Sequence, residues 1–473
     1  MQLEKEMINK FNSIPDFVKK VGNKLLENNF EAFLVGGCVR DMLLSKTPKD
    51  YDIATNATPE EISHIFPRSI LIGARFGTVT VLSEENSEET FPVEVTTYRS
   101  EAEYINGRWP SKVEFSKTIQ EDLARRDFTI NALALNMDSD KEELIDLHGG
   151  LQDLNQRIIR AVGNPIERFS EDGLRPYRAC RFASTLKFEI DENTFEAIKE
   201  TLNVAKLVSP ERVRVEFVRM ILESSHPSKG IDLMRECGLL NLFLPELLEG
   251  YGVIQNDFHT DDVYWHNLHC VDIAPDEVKL AALFHDIGKP RKKDGPHFYG
   301  HDLEGAEMTR KIMKRLRFSN EEIQKTSNLI RWHMFYYPIT EATNDQQKLE
   351  VRNEMMKHGW SDQAVRRFIR NVGGTDQIDQ LFKLRIADAT CNPKSAWDPI
   401  EIQALEMRVS KVLEQDMAMK ITDLDITGTD LINLGVPKGP EIKKILNYLL
   451  DKVEEDPNLN ERTKLLELSR NMI

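Results

Sequence analysis

Phe33-Leu-Val-Gly-Gly-Cys-Val-Arg-Asp-Met-Leu-Leu44, followed closely by Lys49-Asp-Tyr-Asp-Ile-Ala-Thr55, sets the architecture of the N-terminal part of this chain. The apolar run over residues 32–35 predicts a buried strand. Gly36 and Gly37 let the backbone turn tightly, and a helix is expected over residues 39–44. Such a turn points N–H groups and a helix start at whatever lies above it, which suits a triphosphate. Asp50 and Asp52 stand two apart in an expected strand, so both carboxylates fall on one face. Held side by side they repel unless a cation joins them, and the chemistry that uses such a pair is two-metal phosphoryl or nucleotidyl transfer. A glycine pair or an Asp-x-Asp alone says little; the order strand, Gly-Gly, helix, acidic strand says much more.

Working outward, strands are expected at Ile70-Leu-Ile72, Gly77-Thr-Val-Thr-Val-Leu82 and Phe91-Pro-Val-Glu-Val-Thr-Thr97, with a turn around Arg75 between Gly73 and Gly77. Glu94 lies between Val93 and Val95 and faces the opposite side. If its strand neighbours that of Asp50 and Asp52, Glu94 is a third carboxylate aimed at the same metals. Residues 98–113 are polar, carry Gly107 and Pro110, and predict a mobile loop. Residues 121–134 are expected to form a helix that buries Leu123, Ile130 and Leu133, with Arg126, Asp127 and Asn131 as polar groups in or beside it. Before the first strand, Phe17, Val18, Val21 and Leu25 predict an amphipathic lead-in helix.

From Leu151 onward the pattern is helical. Ser170 is a candidate N-cap for a helix in which Asp172 and Arg175, three apart, share a face, with Arg178 one step further. An intrahelical ion pair is the plain account of that spacing; the functional account is a carboxylate acceptor beside a guanidinium donor, able to present base-pair-like hydrogen bonds to a nucleobase edge. Ser209-Pro-Glu-Arg-Val-Arg-Val-Glu216 begins another helix, with Pro210 suited to the first turn.

Beyond about residue 259 a second constellation appears. His266 lies in Val263-Tyr-Trp-His-Asn-Leu268, and adjacent His285 and Asp286 end an apolar helix closed by Gly288. His301, His333 and Asp388 follow. Imidazoles and carboxylates spread in this way over helices can bind one or two divalent metals and activate a water. His269, three residues after His266, competes for the first ligand position.

At 473 residues the chain requires several domains or subdomains. Residues 1–10 are rich in charge and lack the apolar core of a signal peptide, and no apolar run reaches membrane-spanning length. Five scattered cysteines without Cys-x-x-Cys predict reduced thiols in the cytosol. The formal net charge of −16 argues against a protein that coats nucleic acid nonspecifically. Local basic stretches at residues 289–293, 310–317 and 366–370 are candidate phosphate contacts or solvated helix faces.

Taken together, the motifs of residues 33–216 resemble the class II tRNA nucleotidyltransferase and bacterial poly(A) polymerase family. Gly36-Gly37 with Arg40-Asp41 and Asp50-x-Asp52 resembles its metal motif, and Arg126-Asp-Phe-Thr-Ile-Asn-Ala132 its ribose-selecting motif. Glu171-Asp-x-x-Arg175 resembles its amino-acid template for ATP and CTP, and the stretch from Ser209 to Glu216 its neck motif. The resemblance implies an α+β protein: a polymerase β-like head with a mixed sheet, then an all-α neck, body and HD domain. The implied division is 1–150 head, 151–255 neck and body, 256–395 HD domain and 396–473 helical tail. It implies Mg²⁺ at Asp50 and Asp52 with Glu94 as third carboxylate, a triphosphate on Gly36, Gly37 and Arg40, and base selection by Asp172 and Arg175, with Glu171 orienting Arg175. The second half is similar to HD phosphohydrolase domains, which implies a divalent metal on His266, His285, Asp286 and Asp388, with His301 and His333 as further ligands.

The activity implied is template-free addition of CCA to the 3′ end of tRNA from CTP and ATP, in the cytoplasm, with no membrane and no evident obligate protein partner. An A-adding enzyme and a poly(A) polymerase are the alternatives within the family. Retention of the loop at 98–113 disfavours a CC-only enzyme, and no basic insertion of the poly(A) type stands beside the Gly73–Gly77 turn. A different class of function would place the activity at the HD site, with the head reduced to RNA binding. A purely binding role predicts tRNA affinity without turnover.

Overall fold

The computed structural model describes residues 14–71, 77–82, 92–100, 104–105, 109–110, 114–116, 118–138, 143–255, 260–335, 360–392, 400–414 and 421–472. The expected turn around Arg75 and the charged first ten residues lie outside them. The chain divides into two compact units, Met1–Pro245 and Glu246–Ile473.

The first unit is built on a mixed sheet. Its strands are β1 (Phe33–Val35), β2 (Asp52–Thr55), β3 (Ser69–Ile70), β4 (Thr78–Val81) and β5 (Val93–Thr97). Four two-residue strands follow, β6 (Arg99–Ser100), β7 (Tyr104–Ile105), β8 (Trp109–Pro110) and β9 (Glu114–Phe115), and then β10 (Leu133–Asn136) and β11 (Leu144–Asp146). The seven-stranded order is β11-β10-β1-β2-β5-β4-β3. β1 is buried along its whole length because it lies between β10 and β2 with both faces covered, which explains why it reads as an unbroken apolar run. β5 alternates instead, with Val93, Val95 and Thr97 buried and Glu94 exposed, so one face of the sheet packs and the other is open to the site.

Several expectations are corrected. The helix after the glycine turn begins at Gly37 and runs to Leu43. Asp50 lies in a bend two residues after Pro48 and not in the strand, which starts at Asp52. Residues 121–134 are not one helix: Ile119–Ala124 is helical, Thr129–Asn131 is a 3₁₀ turn, and Leu133 opens β10. The side chain of Asp127 accepts the N–H of Phe128 at 2.8 Å, a local bond that competes with helix continuation. Within residues 98–113, expected as a loop, the described backbone is paired: β6 runs antiparallel to β9 and β7 to β8.

Ser170 caps nothing. Asn164 caps a helix over Pro165–Glu171, with Pro165 in its first turn. The chain breaks at Asp172 and Gly173, and a new helix spans Arg175–Leu186. Asp172 and Arg175 therefore stand at a junction and do not share a helix face. The helical stretch after Leu151 also holds one small parallel pair, β12 (Ile158–Ile159) with β13 (Glu189–Ile190). The Arg175–Leu186 helix packs against Pro210–Glu223 and Pro227–Glu236.

The second unit is helical. Val263–Ile273, Lys279–Phe284, Asn320–Trp332 and Thr375–Thr390 pack around an apolar core that includes Ala281, Ala282, Leu329, Leu381 and Leu384. His301–Arg315 lies along Asn320–Trp332. The tail helices Gly428–Asn433, Pro440–Glu455 and Arg462–Arg470 gather a separate core around Leu431, Leu449, Leu450 and Leu465. Among the described residues, no helix is long and apolar enough to cross a membrane.

Candidate active sites

In the first unit, β1 is followed by Gly36, whose φ of 77° belongs to the left-handed region. A Cβ there would come within 2.9 Å of Nη1 of Arg126, so a side chain at this position would press on the arginine. Gly36, Gly37, Arg40, Asp50, Asp52, Arg126, Asp127, Asn131 and Arg178 all line one cleft of about 440 Å³, a size usual for small-molecule sites.

β2 and β5 run parallel with Asp52 in register with Glu94, which sets the two carboxylates on the same face of neighbouring strands. Burial pushes the Asp52 carboxyl up to about 6. Glu94 and Asp50 push the same way and Arg126 opposes them. A buried carboxyl raised by two neighbouring acids is a donor set that a divalent cation relieves, so the residues fit the metal.

The same cleft holds a connected polar network. Arg40 donates to Asn131 Oδ1 at 2.8 Å and to Asp41. Asn131 donates to Asp127 at 3.1 Å, and Arg178 grips the other oxygen of Asp127 with bonds of 2.8 and 2.7 Å. Burial alone would raise the Asp127 carboxyl, but Arg178 and Asn131 hold it down at about 2. Arg126 is fixed by Asp122 at 3.0 Å. Arg181 and Phe182, not singled out from sequence, also line this cleft. Arg181 bonds Glu216 at 2.5 Å, and Phe182 carries the guanidinium groups of Arg40, Arg178 and Arg181 over its ring. Nothing local in the sequence marks Phe182; helical spacing from Arg178 was the available signal.

At the junction, Arg175 donates to Glu171 at 2.6 Å and to the carbonyls of Arg168 and Arg125. Asp172 does not meet Arg175 side chain to side chain. It accepts from the N–H of Leu174 and from Arg212 at 2.9 Å, so the expected pair is held as two separately anchored groups.

In the second unit, four histidines and two aspartates converge. His266 Nε2 is 3.2 Å from His285 Nε2 and 3.1 Å from Asp388 Oδ1. His301 Nε2 is 3.3 Å from His333 Nε2. Asp286 lies between these pairs: Oδ2 faces His285 at 3.3 Å and His266 at 3.6 Å, while Oδ1 faces His301 at 3.3 Å and His333 at 3.6 Å. His269 is outside the cluster, bonded to Asp261 at 2.7 Å; His266 is the first ligand candidate that the structure brings in.

The hydrogen bonds test whether a metal suits this cluster. His285, His301 and His333 each place Nδ1 on a main-chain carbonyl, of Ala282, Phe298 and Ile330, at 2.6–2.8 Å. In a neutral ring that donation leaves Nε2 bare. Two bare nitrogens 3.3 Å apart repel, and a shared cation removes the conflict. Burial lowers the His333 imidazole, favouring its neutral form, whereas the acids around His285 outweigh burial and raise it. Lys289, read from sequence only as part of a basic stretch, puts its ammonium 2.5 Å from Asp286 Oδ2 and donates to Gln255. In the basic stretches named as candidate phosphate contacts or solvated helix faces, Arg291 pairs with Glu249, Arg315 with Glu246 and Arg370 with Asp451.

The profile of the poly A polymerase head domain matches residues 32–160, that of the probable RNA and SrmB-binding site of polymerase A residues 187–250, and that of the HD domain residues 255–392. A CCA-adding enzyme of Pediococcus pentosaceus is 32% identical over 450 residues, 95% of this chain and 96% of that one. The chain belongs to the CCA-adding enzyme family. CCA-adding enzymes of Lactococcus lactis and Enterococcus faecalis are 44% and 49% identical over 48% and 45% of this chain. The match spans about half the length of these two relatives, 56% and 51%. The fold is shared with the Bacillus stearothermophilus CCA-adding enzyme crystallised with CTP, at a TM-score of 0.65, 23% identity and 96% coverage of both chains.

Proposed function

We propose that this member of the CCA-adding enzyme family adds C, C and A to the 3′ end of tRNA from CTP and ATP, in the cytoplasm, without a nucleic-acid template. The observation that carries this reading is the register of Asp52 with Glu94, with Asp50 and Asp52 lining the cleft that also holds the Arg40–Asn131–Asp127–Arg178 network. Asp50, Asp52 and Glu94 would hold Mg²⁺, which when bound lowers the pKa of the terminal 3′-OH and neutralises the departing pyrophosphate. Gly36, Gly37 and Arg40 hold the triphosphate. Arg126, Asp127 and Asn131 set the ribose pocket, with Arg178 fixing Asp127 from the neighbouring helix. Asp172 offers an acceptor and Arg175 donors to the base edge, and Glu171 aims Arg175. The division into head, neck and body, HD domain and tail at residues 150, 255 and 395 goes with this assignment.

The test uses two tRNA transcripts, one lacking CCA and one ending in CC, with Mg²⁺, CTP and ATP. Three nucleotides added to the first, and none by the Asp50→Asn/Asp52→Asn protein, is the expected result. Extension of only the CC-ended transcript by one A would make the protein an A-adding enzyme, and long A tails a poly(A) polymerase.

The histidine–aspartate cluster supports a second activity, metal-dependent hydrolysis of a phosphate ester, with His266, His285, Asp286 and Asp388 as ligands and His301 and His333 completing a neighbouring position around Asp286. Loss of 2′,3′-cyclic phosphate hydrolysis in His285→Ala, with nucleotide addition intact, is the expected signature.

A further inference from the structure

The four histidines of the cluster are anchored in two different ways. His285 and His333 each follow directly on a helix, and His301 opens one. Their Nδ1 atoms reach carbonyls at helix ends or in the preceding loop, where main-chain oxygens lack an intrahelical partner. His266 is the fourth residue of Val263–Ile273. The carbonyl three residues before it lies inside the helix and is committed to the helical ladder. A ligand histidine in that position needs an anchor from elsewhere.

Cys391 lies where such an anchor is needed. Its Sγ is 3.4 Å from His266 Nδ1 and 3.1 Å from the main-chain oxygen of Asp388. The two contacts are compatible in one proton arrangement: the thiol S–H donates to the Asp388 carbonyl, and a sulfur lone pair accepts Nδ1–H. That arrangement leaves Nε2 of His266 bare, facing His285 and Asp388 Oδ1. The sulfur sits at the Nδ1 edge of the ring, away from the edge that meets the other ligands. Cys391 also directly follows Thr375–Thr390, the helix that carries Asp388. One thiol thereby ties together two metal-facing residues from two helices.

We infer that Cys391 is a positioning residue of the histidine–aspartate centre, taking at His266 the part that main-chain carbonyls play at the other three histidines. The inference rests on the reading of that cluster as a divalent-metal site.

Cobalt(II) titration of the full-length protein, carried in the Asp52→Asn background to weaken binding at the head, tests it by calorimetry and by the visible spectrum of the bound ion. Cys391→Val should lower the affinity for one ion about tenfold, as loss of an outer-shell partner typically does, and shift its spectrum. Cys391→Ser, which keeps a small donor and acceptor, should restore part of the affinity. Identical affinity and spectra for Cys391→Val and its parent would overturn the inference while leaving the metal site standing. A sulfur-to-cobalt charge-transfer band in the parent, lost in Cys391→Ser, would overturn it by making Cys391 a ligand. A parent that binds no cobalt at the cluster would overturn the metal reading and the inference with it.

Discussion

At the scale of single residues, Asp52 shows how crowded carboxylates load the fold that carries them. Its carboxyl is raised from the usual value of about 4 to about 6 by burial and by Glu94 and Asp50. The folded state therefore holds this proton more tightly than the unfolded one. The stabilisation is present below about pH 4 and is lost as pH rises through 6. Asp52→Asn is expected to stabilise the metal-free protein by about 3 kcal/mol at pH 8 and by little at pH 4, while abolishing nucleotide addition. Urea midpoints of the two proteins with and without Mg²⁺ measure this, and the ion should narrow the gap. Asp127 has the opposite sign. Held at about 2 by Arg178 and Asn131 against its own burial, it contributes stability above about pH 4 that disappears as pH falls toward 2. Asp127→Asn should cost about 2 kcal/mol at pH 7; an unchanged urea midpoint there would mean that the Arg178 pair contributes nothing net.

At the scale of elements, the break between Pro165–Glu171 and Arg175–Leu186 matters most. A Cβ on Gly173 would meet the carbonyl oxygen of Val204 at 2.6 Å, main chain against main chain. Gly173→Ala should therefore displace the junction that carries Asp172 and Arg175, lowering the melting temperature and weakening discrimination of CTP from UTP in a binding assay. Retained discrimination with a lowered melting temperature would separate the packing role of Gly173 from the placement of Asp172 and Arg175. The same junction marks where sequence reasoning stopped. Period-2 alternation led correctly to Glu94 facing away from Val93 and Val95, because alternation is a local property of one strand. The spacing of Asp172 and Arg175 was legible, but their partners were not: Arg212 is 40 residues from Asp172, and the carbonyl of Arg125 is 50 from Arg175. Likewise the four histidines could be listed from the sequence. The choice of His266 over His269 needed the helix's orientation, and Cys391 is 125 residues from the ring it meets. Residues 121–134 misled because Ile130 and Leu133 fit a helical period while Asp127 captures the next N–H and a strand begins at Leu133.

At the scale of the whole molecule, the chain carries two candidate metal centres of opposite character, one in each unit. Asp50 and Glu94 are exposed and Asp52 is half-buried. His266, His285, Asp286 and His333 are at most 2% exposed. The open centre uses hard carboxylates alone; the closed one adds imidazoles that are fixed from behind. This difference separates the two centres in time as well as in chemistry. Ions at the head should trade with solvent rapidly, whereas release from the buried cluster must wait for the helices around it to open. A chelator added to metal-loaded protein is expected to stop nucleotide addition on mixing, while metal retained by the protein, followed by elemental mass spectrometry after rapid desalting, declines over a much longer course. Simultaneous loss of both would show that the cluster is not sealed. Where the two clocks differ, the history of a preparation becomes part of its composition: a protein moved briefly through a chelating buffer and returned to Mg²⁺ would regain its head ion and still carry the ion it acquired in the cluster when it folded.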